Sequence, residues 1–355
     1  MNESAGTVRV APARASGVLE IDLSAIVANW RQLRNLVAPA ACGAVVKADA
    51  YGTGLVEAGP VLAAAGCDTF FVAVPCEGIT LRAKCPSATI YILNGLAAGQ
   101  GELYLAHRLR PVLGSLAEIG EWKATVHADA DRGPAALHID TGMNRLGLSL
   151  PEFATLMSAS PKSALGFPLA LVMSHFVTAD NADHPFNARQ IREFGQARAL
   201  CPEVPASLAN SSGIFLTPDA HHDLARPGYA LFGGNPTPRR ENAMRNVVTL
   251  MVPIVQLRVI EKGETVGYDA QWTAPGRRRI ATLSAGYADG YPRGATVTDA
   301  RREGDPIAEA IIAKRRCPFI GRVSMDLITV DVTDVPEEAV RRGDSATLIG
   351  AGLSV

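Results

Sequence analysis

What this sequence lacks narrows its class before any motif is read. Its six cysteines (Cys42, Cys67, Cys76, Cys85, Cys201 and Cys317) contain no Cys-x-x-Cys pair and no compact framework. That excludes a small disulfide-stapled secreted fold and reads as reduced, mostly buried thiols in a cytoplasmic protein. No long apolar run is present: the longest, Ala164 to Met173, is broken by Gly166 and Pro168 and falls far short of the ~20 residues needed to span a bilayer. Residues 1–17 contain no apolar stretch of signal-peptide length and read as a flexible arm. Charge of one sign is not in excess, because 34 basic against 35 acidic side chains leave −1, which offers no field for nucleic acid or an anionic membrane. Arg277-Arg278-Arg279 and Arg315-Arg316 read as solvated surface. No low-complexity segment, solenoid repeat or metal-ligand set stands out.

What remains is a core-forming chain. With 48% hydrophobic and 19% charged residues in 355, it exceeds the size at which one core keeps growing, so two domains are expected. Short apolar runs at Ala44–Val46, Thr69–Val74, Thr89–Leu93, Arg110–Leu113, Ala136–Ile139, Leu169–Ser174, Ala206–Ala209 and Ala225–Leu231 alternate with amphipathic stretches such as Gly54–Ala65, Leu116–Val126 and Phe186–Leu200. Eight strands separated by helices predict a (β/α)₈ TIM-type barrel over 18–240. Beyond a Pro-containing, charged linker near Asn235–Arg245 the rhythm turns β-rich, predicting a mostly-β domain over 241–355.

Lys47 ends an apolar run and is followed by Ala48-Asp49-Ala50-Tyr51-Gly52-Thr53-Gly54. An amine at the mouth of a buried strand loses solvation for its charged form, which favours the nucleophilic neutral form that a Schiff base requires. Gly52 and Gly54 let backbone approach a bulky anion such as a phosphate, and the Tyr51 hydroxyl can donate to one. The plain alternative is a strand-end lysine snorkelling to water. In a barrel, active groups stand at the carboxyl ends of strands; Lys47, Arg145, His175, Asn210 and Arg226 all end or follow predicted strands.

The Lys47 segment resembles the cofactor-lysine signature of the alanine racemases. So do Glu20-Ile21-Asp22-Leu23 with Asn29, Phe71 to Val74, His138 to Gly147, Ser174-His175, Ala209 to Ser212, Arg226-Pro227-Gly228, Gly286 to Arg293 and Gly321 to Asp326, in family order from about residue 18 to the chain end. The resemblance implies pyridoxal 5′-phosphate (PLP) as cofactor, interconversion of L- and D-alanine, D-alanine supply for peptidoglycan, and a homodimer with shared active sites. It makes Lys47 the cofactor-holding residue and the base for the D isomer, and Tyr268, from the neighbouring subunit, the base for the L isomer. Racemisation needs bases on both faces of Cα. A tyrosine is a poor base at its ordinary pKa of about 10, and His175, backed by Arg226, is the family's relay for its proton. Arg226 also faces the pyridine nitrogen. Ser211, the backbone of Gly228 and Tyr229, and Tyr51 form the implied phosphate cradle, with Asn210 as orienter. Arg145 and the Met325 amide meet the substrate carboxylate, and Tyr287, Arg293, Arg322 and Asp180 line the access corridor.

Two departures from the family pattern stand out. Where many members carry a carbamylated lysine this chain has His138, so that lysine is not carried over. The chain also stops at Val355, where the resemblance implies a further strand pair and a terminal tyrosine that reaches the phosphate. That departure keeps open a racemase of broader specificity, or a PLP-binding protein with little turnover.

Overall fold

Leu23, Ile26, Trp30, Leu33 and Val37 recur at alternating intervals of three and four, and all are buried on one stripe of the helix Leu23–Val37. This is the computed structural model's first long element; the model describes residues 17–126, 133–158, 165–300, 307–350 and 352–353. The arm expected over residues 1–17 lies, apart from Gly17, outside them. The described residues divide into two compact units, one spanning Leu23–Arg245, the other those from Asn246 onward together with Gly17–Asp22.

In the first unit seven short strands pair in parallel in chain order: Ala44–Val45, Thr69–Val72, Thr89–Ile92, Leu109–Leu113, Ala135–His138, Leu169–Met173 and Ala206–Ser207. Leu224–Ala225 closes the ring by pairing with Ala41–Cys42, which runs on through Gly43 into Ala44–Val45. The Gly43 and Val45 amides continue that ladder onto the carbonyls of Ala225 and Pro227 at 2.9 and 2.8 Å. The helices Leu55–Ala64, Pro75–Lys84, Gly101–Ala106, Leu116–Val126, Leu150–Ser158 and Pro185–Ala199 fall between strands, and the result is the predicted barrel. Val45, Phe71, Tyr91, Val112, Ala136, Leu171 and Leu224 fill its interior, as a barrel too narrow for a channel requires.

The predicted last strand, Ala225–Leu231, is corrected. Only Leu224–Ala225 is extended, and Tyr229–Phe232 winds into a 3₁₀ turn. Pro227 has no N–H for a ladder, and Gly228 (φ −131°, ψ −83°) turns the chain.

The second unit is antiparallel. Its sheet runs Arg315–Pro318, Glu309–Ile312, Ser345–Ile349, Val248–Ile260, Arg278–Leu283, Ile328–Asp331. Val252, Ile254, Leu283, Phe319, Ile328 and Leu348 are among its buried core. The sequence counts residues from 18 onward with the barrel, but Val18–Ile21 pairs antiparallel with Val248–Met251 and so joins this sheet. Its backbone groups pair along that 13-residue strand. No helix among the described residues is long and apolar enough to cross a membrane.

Candidate active site

Lys47 is half-buried and opens a turn of the wrong hand. Ala48, Asp49, Ala50 and Tyr51 all sit near φ 53–58° with ψ 33–51°, a run of left-handed residues that costs about 1–2 kcal/mol each for L amino acids. Hydrogen bonds offset that cost. The Ala50 amide donates to the Val46 carbonyl at 3.0 Å and Gly54 to Asp49 at 3.0 Å, while Asp49 Oδ1 accepts from the Leu55 amide at 2.7 Å. Glu77 reaches across from its own helix, accepting from the amides of Ala73 at 2.8 Å and Asp49 at 3.3 Å. Strain held in this way at a strand end is typical of functional sites.

Arg226 stands on the neighbouring strand end and is only 3% exposed. Its Nη1 donates to Ser207 Oγ at 2.5 Å, its Nη2 to the Ser174 carbonyl at 2.6 Å, and its guanidinium lies over the Phe71 ring at 5.9 Å. Among the described residues no carboxylate pairs with it. Burial pulls Arg226 down to about 9, which leaves the guanidinium charged at neutral pH. A buried charge satisfied only by neutral acceptors is expensive, so this site suits a ligand that brings a further acceptor to it. Burial first, then the Arg226 charge, pushes His175 down to about 3 and His138 down to about 4. Both rings are therefore neutral over the physiological range, and each keeps one ring nitrogen able to accept a hydrogen bond.

Gly228 lies directly against Tyr51 and Val45. A Cβ there would lie 2.4 Å from Tyr51 Oη and 3.1 Å from Val45, so only glycine fits. Tyr51 stacks on Phe232 at 5.0 Å. Ser211 Oγ accepts from the Gly228 and Ala230 amides at 3.0 and 3.1 Å; with both lone pairs used, its O–H proton remains to donate. The Gly228 amide, read from the sequence as a direct cradle donor, is thus taken by Ser211, and what Gly228 contributes is the absence of a side chain. Asn210 Oδ1 accepts from the Gly213 amide at 2.9 Å and shapes the following turn. Fully buried Asn29 anchors the 3₁₀ turn, donating to the carbonyls of Leu231 at 3.1 Å and Arg245 at 3.0 Å. A phosphorylated pyridine fits these donors: an amine at Lys47, hydroxyls at Tyr51 and Ser211, and a buried cation at Arg226.

Arg145 is exposed on a loop that Asp140 folds by accepting from the amides of Gly142, Met143 and Asn144 at 2.8–3.2 Å. One residue the sequence reading missed ties this loop to His175. Gln190 is wholly buried; its Nε2 donates to Thr141 Oγ1 at 3.0 Å and to the His175 carbonyl at 2.9 Å, while its Oε1 accepts from Val177 at 2.9 Å. Thr141 Oγ1 in turn lies 2.7 Å from Ser174 Oγ. Its signal was available: Asn187, Gln190, Phe194 and Ala197 form the buried stripe of their helix, and a polar residue on such a stripe needs partners. Ser207 and Glu77 carried no comparable signal.

Asp180 lies in the barrel unit, and the remaining candidates lie in the β unit. Tyr268 sits in the turn joining Thr265–Val266 to Trp272–Thr273, before Asp269 at φ 60°. The Asp269 carboxylate pairs with Arg322. Tyr287 packs under the Arg293 guanidinium at 5.5 Å, and the amides of Tyr287 and Ala288 donate to the carbonyls of Ser324 and Met325 at 3.1 and 2.8 Å. Tyr268 is 69% and Met325 58% exposed, unusual for large side chains on an ordered turn.

Comparison with known proteins agrees with this geometry. The alanine racemase N-terminal domain profile matches residues 21–236 and the C-terminal domain profile residues 247–355. The chain is 52% identical over 337 residues to an alanine racemase of Methylobacterium nodulans, covering 95% of this chain and 88% of that one. It is 46% identical over 344 residues to one of Rhodospirillum rubrum, covering 96% and 89%. The crystal structure of alanine racemase from Bartonella henselae with covalently bound pyridoxal phosphate superposes with a TM-score of 0.86 at 36% identity, over 95% of this chain and 91% of that one. Matched along both of its units, the chain belongs to the alanine racemase family.

Proposed function

We propose that the chain interconverts L- and D-alanine with pyridoxal 5′-phosphate, acting as a cytoplasmic homodimer that supplies D-alanine for peptidoglycan. The observation that carries this reading is the pairing of Lys47, on its strained turn, with the buried and carboxylate-free Arg226 on the adjacent strand end. Family membership and the relatives' activity support it.

When bound, PLP makes the Cα proton of an attached amino acid acidic by drawing the electron pair left behind into its ring. The protein's residues divide the remaining work. Lys47 holds the cofactor, and its amine, once free, takes or returns the proton on one face of Cα. Tyr51, Ser211 and the Tyr229 backbone amide hold the phosphate, with Asn210 shaping that turn and Gly228 leaving room for Tyr51. Arg226 donates a hydrogen bond toward the pyridine nitrogen and keeps its own proton.

On the other face the partner subunit's Tyr268 exchanges the proton of the L isomer. His175, neutral beside Arg226, is the hydrogen-bond partner through which the phenolic proton is relayed, the Arg226 charge favouring the phenolate left behind, and Gln190 fixes the backbone from which His175 projects. Arg145 and the partner subunit's Met325 amide orient the substrate carboxylate, while Asp180, Tyr287, Arg293 and Arg322 line the approach. The exposure of Tyr268 and Met325 supports a second copy covering that surface. The test is D-alanine formation from L-alanine by purified, PLP-loaded protein, compared with serine and lysine as substrates. PLP-loaded protein inert toward alanine, or one turning over lysine faster, would reject the reading.

A further inference from the structure

The amino ends of the barrel strands, opposite the rim of Lys47 and Arg226, carry a second concentration of positive charge. The segments leading into the strands that start at Thr89, Leu109 and Ala135 line a cavity of about 460 Å³, and the guanidine-bearing residues Arg82, Arg108 and Arg110 are part of its wall. No carboxylate lines it among the described residues. Arg82 is committed to backbone: its Nε, Nη1 and Nη2 donate to the carbonyls of His107, Ala88 and Arg108 at 3.1, 2.6 and 2.8 Å. Carbonyls satisfy its protons but not its charge. Burial, and then the Arg108 and Arg110 charges, hold Arg82 below the usual guanidinium range.

The other two arginines keep most of their donors. Arg108 gives one hydrogen bond, to the Pro86 carbonyl at 3.0 Å, and Arg110 one, to Tyr91 Oη at 3.1 Å, out of five N–H groups on each guanidinium. Arg108 also stands at φ 51° just past the helix Gly101–Ala106, the left-handed position that glycine normally occupies at a helix end. An L residue is strained there, and strain of this kind around a cavity points to a use for the side chain.

We propose that this cavity is an oxyanion site, taking a phosphorylated or multiply carboxylated metabolite through the guanidiniums of Arg108 and Arg110 in the field of Arg82. The planar forks of two arginines suit bidentate contact with phosphate or carboxylate oxygens. The site is independent of the catalytic rim.

Calorimetric titration of the full, PLP-loaded protein with inorganic phosphate and with citrate, at constant ionic strength, tests it. Saturable binding is expected, and whichever probe binds tighter identifies the ligand's chemistry. Arg108→Gly relieves the positive φ while removing the guanidinium, so it is expected to fold, keep kcat/KM for alanine, and bind the anion at least about tenfold more weakly. Arg110→Gln is the second variant and is expected to weaken binding likewise. Binding undiminished in both variants belongs to the catalytic rim and overturns the proposal, as does the absence of saturable binding by either probe at millimolar concentration.

Discussion

Acidifying the protein should destabilise it before its carboxylates titrate, because of two imidazoles. His138 and His175 are held down to about 4 and about 3, against 6.5 for a free histidine, so between those values the unfolded chain binds protons that the folded one excludes. Their contribution to stability is therefore full above about pH 6.5 and is lost as pH falls toward the folded values. Each excluded proton changes stability by about 1.4 kcal/mol per pH unit, so the pair approaches about 2.7 kcal/mol per unit near pH 5. By about pH 5 the accumulated loss is on the order of 4 kcal/mol, a large part of an ordinary domain's stability of about 5–15 kcal/mol. Replacing buried His138 by glutamine removes one titrating site and should roughly halve the part of the pH slope that these two rings contribute, His222, also lowered by burial, adding to both proteins alike. Urea unfolding at about pH 7, 6 and 5 on both proteins measures that slope, and NMR of ring-labelled histidines reads each imidazole directly. An imidazole at either position that titrates above about pH 6 in the folded protein, or equal slopes for the two proteins, would refute the reasoning.

Three further outcomes are expected. Borohydride reduction and peptide mapping should find the pyridoxyl group on Lys47, and Lys47→Ala should abolish both the label and the visible absorbance; a label on another lysine refutes the assignment. Tyr268→Phe should cut Cα proton exchange in deuterated water far more for L-alanine than for D-alanine, by about 10²–10⁴ if the tyrosine is a general base, whereas equal small losses would reduce it to a packing residue. Gln190→Leu leaves the Thr141, His175 and Val177 polar groups without their partner, which should lower kcat by about 10–10² with little change in KM if the geometry at His175 is what suffers. A rise in KM alone, or no change beyond a lowered Tm, would show that Gln190 only supports the fold.

Local pattern made much of this protein legible from its residues. The alternation of apolar runs with amphipathic stretches specified the barrel because burial on the inner face repeats every strand, and a lysine ending one such run identified the rim. The order of motifs from Lys47 to Met325 supplied the family. Hydrogen bonding and packing among distant segments decided the rest. The left-handed turn after Lys47 depends on Glu77 reaching back from another helix. The strand Val18–Ile21 belongs to the β unit because that is where its backbone finds partners. Among the described residues Arg226 has no acid beside it because Ser174, Ser207 and Phe71, contributed by three other segments, enclose it. Sequence spacing records which groups a segment carries; how far their charge is stripped of water is fixed by what the rest of the chain packs around them.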